Sequence, residues 1–64
     1  MTYGSRIAKL REQKGWTQEE LSELIGISRA SLSHYEQNRR KPNLETLTRL
    51  ADIFETTIDK IIGR

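Results

Sequence analysis

Residues 17–36, TQEELSELIGISRASLSHYE, hold two short amphipathic segments that carry their own start signals and are separated only by Gly26, Ile27 and Ser28. Helices joined by so few residues cross at a steep angle, which leaves a short chain few ways to complete a core. Thr17 can accept from an early backbone N–H of the first segment while Glu20 reaches back to the Thr17 N–H, and Trp16 is spaced to staple onto Leu21. Ser28 offers the same capping oxygen to the second segment, with Ile27 and Leu32 spaced as a second staple. Gly26 serves the break, because glycine enters the left-handed backbone region without a side-chain clash.

Apolar spacing of three and four recurs along the whole chain and no strand alternation is present, so the expected class is all-helical, with five helices. The first runs from near Thr2 to Lys14 and stops at Gly15, with Tyr3, Ile7 and Leu10 inward. Leu21, Leu24 and Ile25 form the inward face of the second, and Leu32 and Tyr35 that of the third. Leu44, Leu47, Leu50, Ala51 and Phe54 give the fourth a longer face, and Ile58, Ile61 and Ile62 close a short fifth. Pro42 cannot sit in a helix interior and biases Lys41 towards extended backbone, so residues 38–42 read as a loop, with Asn43 as the cap of the fourth helix. No repeat, low-complexity stretch or linker interrupts the sequence, and residues 1–64 read as one domain.

A chain of 64 residues with 34% apolar content must place most of that content inside. It has no cysteine and one histidine, which excludes disulfides and thiolate metal sites, so neither metal nor cofactor is expected. The longest apolar runs are two residues, too short for a signal peptide or a membrane span, which predicts a cytoplasmic protein with no membrane partner. The net charge of +2 is unevenly spread. Residues 1–26 balance to zero, whereas residues 27–42 set Arg29, Arg39, Arg40 and Lys41 against Glu36 alone. A basic patch of this kind suits a nucleic-acid surface, and also suits a solvated loop.

The layout over residues 17–36 is that of a helix-turn-helix, and it resembles that of the phage repressor and Cro family, also called the XRE family. The likeness rests on Gln18, Leu21, small Ser22, Ile25, Gly26, Leu32 and Tyr35. It extends over RIAKLREQKG before the motif, YEQNRRKP after it and LETLTRLADIFETTIDKII beyond, nearly the whole chain. The resemblance implies a compact, five-helix, lambda-repressor-like DNA-binding domain in which helices 2 and 3 form the motif. One departure is Glu55, where many relatives have the glycine that ends the fourth helix in a left-handed residue. Glutamate there costs roughly 1 kcal/mol if that geometry is kept, and otherwise the turn differs and the fifth helix is displaced.

In a helix-turn-helix the second helix of the motif lies in the major groove. With Leu32, Tyr35 and Glu36 inward, Arg29, Ala30, Ser33, His34 and Gln37 share the opposite, polar face. Arg29 can fork onto guanine O6 and N7, Ala30 can pack on a thymine methyl, and His34 can donate or accept according to tautomer. The resemblance places base contacts at Arg29, Ala30 and His34, and Ser33 joins them on the same face. Phosphate contacts are expected from Thr17, Gln18, Ser28, Asn38, Arg40 and Lys41, although Thr17 and Ser28 also have a capping role. Gln18 has no evident structural reason to be glutamine. The resemblance further implies a largely buried ion pair between Arg11 and Glu36.

The leading expectation is therefore a sequence-specific DNA-binding transcriptional regulator, a repressor that occupies a pseudo-palindromic operator as a weak homodimer. Ile53, Ile58, Ile61 and Ile62 are the candidate dimer surface, of which Ile58 and one of the final pair are expected to close the monomer core, leaving Ile53 and the other for the dimer. The alternative is a protein-interaction module or antitoxin-like adaptor on the same fold. Such a module needs exposed apolar residues, and none is expected outside the C-terminal isoleucines. An enzyme is not expected, because Ser31, Ser33 and His34 do not face one another on a helix and no acid or glycine-rich phosphate loop supports them. No small-molecule pocket is suggested.

Overall fold

The computed structural model describes residues 2–63, and among them the secondary structure is entirely helical. The elements are α1 (Tyr3–Gln13), α2 (Gln18–Ile25), α3 (Arg29–Glu36), α4 (Leu44–Ile53) and α5 (Ile58–Ile62). Each begins on a side-chain cap: Thr2, Thr17, Ser28, Asn43 and Thr57 accept from the backbone N–H three residues ahead. Thr17 and Glu20 close a full capping box, and so do Thr2 and Ser5. These bonds satisfy donors that a helix start otherwise leaves open, each cap contributing about 1 kcal/mol.

The first four helices also end alike, in a left-handed residue: Gly15, Gly26, Asn38 and Glu55 have φ of 75°, 74°, 61° and 55°. The next N–H in each case returns to a carbonyl five residues back, as in Ile27 N to Ser22 O at 3.0 Å and Thr56 N to Ala51 O at 2.9 Å. Gly26 meets this geometry without strain. Glu55 meets it as a non-glycine residue, so the fourth helix keeps the left-handed ending and α5 starts three residues later at Ile58.

Five side chains are fully buried, one from each helix: Ile7, Leu21, Leu32, Leu50 and Ile61. Ile25, Tyr35, Leu47, Ala51 and Phe54 surround them, and Tyr3, Leu10, Trp16, Ile27, Ile53, Ile58 and Ile62 pack on the outside of that cluster. Trp16 stacks on Phe54 with ring centroids 6.1 Å apart, which ties the start of α2 to the end of α4.

Two expected core positions and one expected dimer-surface position differ. Leu24 is 51% exposed, because the face that α2 buries is Leu21, Ser22 and Ile25, and Leu24 lies on its flank. Leu44, the first residue of α4, is 70% exposed, since the buried face starts one turn later at Thr46 and Leu47. Ile61 is 0% exposed, so it is removed from the candidate dimer surface and belongs to the monomer's centre. Ile53, Ile58 and Ile62 remain half-buried.

Gly4 sets how closely α1 meets α3. A Cβ on it would lie 2.5 Å from Tyr35 O, 2.6 Å from Glu36 O and 2.7 Å from Asn38 Oδ1. The approach is therefore open to glycine alone, and it delivers the Gly4 N–H to Asn38 Oδ1 at 3.1 Å.

Candidate nucleic-acid interface

The polar face of α3 starts from the way Leu32 and Tyr35 are buried. Their burial turns Arg29, Ala30 and Gln37 to solvent and leaves Ser33 and His34 half-buried between them. Gln18, Arg29, Ala30 and Ser33 line one open depression, and Arg11, Thr17, Gln18, Glu19 and Arg29 line a second that adjoins it. The start of α2 and the start of α3 thus share a concave surface, with the Arg29 guanidinium between them.

Behind this surface, a polar network ties three helices together. Arg11 Nε donates to Glu36 Oε2 at 2.8 Å and Arg11 Nη2 to Glu36 Oε1 at 3.2 Å. Arg11 Nη1 donates to Trp16 O at 2.8 Å, and Gln18 Nε2 to Glu36 Oε1 at 3.0 Å. The side chains of Arg11 and Glu36 are only 14% and 6% exposed. The hydrogen bond to Glu36 raises the Arg11 guanidinium above its ordinary value against the opposing effect of burial, so the group is a permanent cation. Gln18 accordingly has a structural reason to be glutamine that its sequence position did not reveal: it completes the acceptance of Glu36.

The other expected phosphate-contacting residues divide by their bonds. Thr17 Oγ1 accepts from Glu20 N at 3.1 Å, and Ser28 Oγ both accepts from Ser31 N and donates to Ser31 Oγ at 3.0 Å. Asn38 holds the left-handed turn after α3, with its Oδ1 on the Gly4 N–H. Arg40 and Lys41 are exposed, and the loop beneath them is pinned where Tyr3 Oη donates to Arg40 O at 3.0 Å. Pro42 is buried and closes that loop against the body.

Two fixtures of this region have no sequence signal. Arg49 on α4 donates to Ile25 O at 3.0 Å and to Glu45 Oε1 at 2.8 Å, so its guanidinium satisfies an open carbonyl at the end of α2. The bond from Tyr3 to Arg40 spans 37 residues. The exposed apolar surface is also wider than expected, because Trp16, Glu20, Glu23 and Leu24 line a shallow depression on the outer side of α2. No group of metal-ligating side chains occurs among the described residues, and no helix there is long and apolar enough to cross a membrane.

Similarity to known proteins agrees with this geometry. A family model described as helix-turn-helix matches residues 7–61. The chain is 41% identical over 59 residues to the HTH-type transcriptional regulator AnsR of Bacillus subtilis (strain 168), covering 92% of this chain and 51% of that one. It is 33% identical over 64 residues to the HTH-type transcriptional regulator ImmR of the same organism, covering 100% and 50%. The chain thus spans about half the length of these regulators. Among solved structures, the P22 c2 repressor in complex with a synthetic operator superposes with a TM-score of 0.94 at 25% identity, covering 98% of this chain and 96% of that one. SinR in complex with DNA superposes with a TM-score of 0.86 at 26% identity, covering 94% and 97%.

Proposed function

Because the chain belongs to the helix-turn-helix family, a family and fold of transcription regulators and not of enzymes, we propose that it binds an operator in double-stranded DNA as a sequence-specific repressor. The observation that carries this reading is the exposed face of α3, where Arg29 and Ala30 stand clear of the core beside half-buried Ser33 and His34. In this reading α3 enters the major groove, Arg29 forks onto a guanine, and Ala30 and His34 read its neighbours. Gln18 at the first position of α2 and the exposed Arg40 and Lys41 hold phosphates on the two sides of the groove, with Thr17, Ser28 and Asn38 contributing as far as their structural bonds leave them able.

Repression needs only that the bound protein exclude polymerase, so the domain can act without an effector activity of its own. Two copies on a pseudo-palindrome would set half-site centres about 34–36 Å apart. Ile53, Ile58 and Ile62 are the half-buried apolar residues left for the weak contact between them. The working compartment is the cytoplasm, where DNA is accessible.

Selection from a randomised duplex pool at near-physiological salt, run for the native protein and for Arg29→Ala, tests this. A two-fold symmetric motif that loses one base preference in Arg29→Ala supports the reading. Weak binding with no motif and a steep salt dependence removes it. The exposed Leu24 beside Trp16, Glu20 and Glu23 favours a second reading, a protein-interaction module, which would then lead.

A further inference from the structure

Gln37 lies one residue past the end of α3 and is exposed, yet its side chain is held in place. Its Nε2 donates to Ser33 Oγ at 3.0 Å, one turn back along the same face. That bond uses one of the two amide protons and leaves the other, together with the lone pairs of Oε1, for an outside partner. A glutamine on a helix surface otherwise samples many rotamers, and fixing it on binding opposes affinity. Here the fixing is done by the protein itself.

Ser33 also lines the depression formed with Gln18, Arg29 and Ala30, so its bond to Gln37 links the edge of that depression to the end of the helix. The eight residues of α3 span about 12 Å, close to the width of the major groove, and a glutamine at the end of the stripe adds the length of its side chain. A donor and an acceptor side by side match one base edge in the major groove. Adenine offers N7 to accept and N6 to donate, whereas guanine offers two acceptors there, cytosine a donor and thymine an acceptor beside a methyl.

We propose that Gln37 reads an adenine, with Ser33 as the positioning residue that sets its amide for that base. This assignment rests on the reading of α3 as the DNA-binding helix. His34 lies beside the pair on the stripe and reads a different base, and Gln37 was not among the base contacts implied by family resemblance.

The test is duplex selection followed by anisotropy titrations on the selected site with each base varied in turn. The native protein is expected to prefer adenine at one position per half-site by about 5- to 150-fold over other bases. Gln37→Leu should flatten that position alone, and Gln37→Glu, which can only accept, should move its preference to cytosine. Ser33→Ala should weaken the adenine preference without altering the melting temperature, and Ser33→Thr, which keeps the hydroxyl, should restore it. A motif that emerges but is unchanged in Gln37→Leu overturns the assignment while leaving the proposed function standing, as does loss of a guanine instead of an adenine. An adenine preference untouched in Ser33→Ala removes the positioning role. Failure of the native protein to select any motif overturns the assignment together with the DNA-binding reading.

Discussion

Removing the carboxylate of Glu36 should destabilise the protein more than any substitution on the face of α3. Glu36→Ala deletes the acceptor of three hydrogen bonds, from Arg11 Nε, Arg11 Nη2 and Gln18 Nε2. It leaves an Arg11 side chain that is 14% exposed, with Trp16 O as its remaining hydrogen-bond acceptor. Breaking one side of a buried ion pair costs about 3–5 kcal/mol. The residual exposure of Arg11 and its bond to Trp16 place this case at the lower end, about 3 kcal/mol. Domains of this size have a total stability of about 3–10 kcal/mol, so the loss is a large fraction of the whole. At about 4–8 °C per kcal/mol, the melting temperature should fall by about 12–24 °C. Thermal melts followed by far-UV circular dichroism measure this, with Ser33→Ala as the surface control, expected within about 0.5 kcal/mol of the native protein. The double variant Arg11→Met, Glu36→Leu removes both charges and should melt above either single variant. A Glu36→Ala melt within about 3 °C of the native value, or strictly additive single effects, would refute the reasoning that the pair is buried and coupled.

Three further outcomes are expected. Gly4→Ala should lower the urea midpoint by an equivalent of about 1–3 kcal/mol, because the added methyl meets Tyr35 O and Glu36 O and overpacking outweighs the gain in helix propensity; a raised midpoint would show that α1 can shift freely. Glu55→Gly should raise the melting temperature by about 3–8 °C, since it relieves a left-handed non-glycine residue at the loss of only an exposed 3.8 Å contact to Lys14; an unchanged or lower value would mean that the turn carries no strain. Arg40→Ala and Lys41→Ala should each weaken binding to all DNA sequences alike and reduce the slope of log affinity against log salt by about 1, measured by anisotropy at several salt concentrations; loss confined to one sequence would reassign them as base readers.

What the sequence made legible was local. The caps at Thr17, Ser28 and Asn43, the glycine breaks at 15 and 26 and the proline at 42 act within a few residues of themselves, and the helix boundaries beside them follow. The stripe on α3 was legible for the same reason, since one helix face is set by its own spacing. Periodicity does not say which neighbour covers a face, and there the reading went astray. Leu24 and Leu44 sit at helical spacing from core residues but on flanks that no other element covers, while Ile61 is covered completely. The bonds that give Gln18 and Asn38 a structural role run across 18 and 34 residues, and the close approach at Gly4 exists only once α1 has docked on α3. No spacing rule reaches that far.

The side chains of Arg29 and His34 make no hydrogen bond among the described residues, and Ala30 has only a methyl to offer. No side-chain hydrogen bond among the described residues depends on what those three positions carry. Gln18, Glu36 and Asn38, a few ångströms behind, are each committed to another helix. If α3 reads DNA as proposed, changes of target can accumulate at 29, 30 and 34 at little cost in folding, whereas the frame that aims them tolerates little change. On that reading, a lineage built on this fold can shift its operators one base at a time while every intermediate still folds.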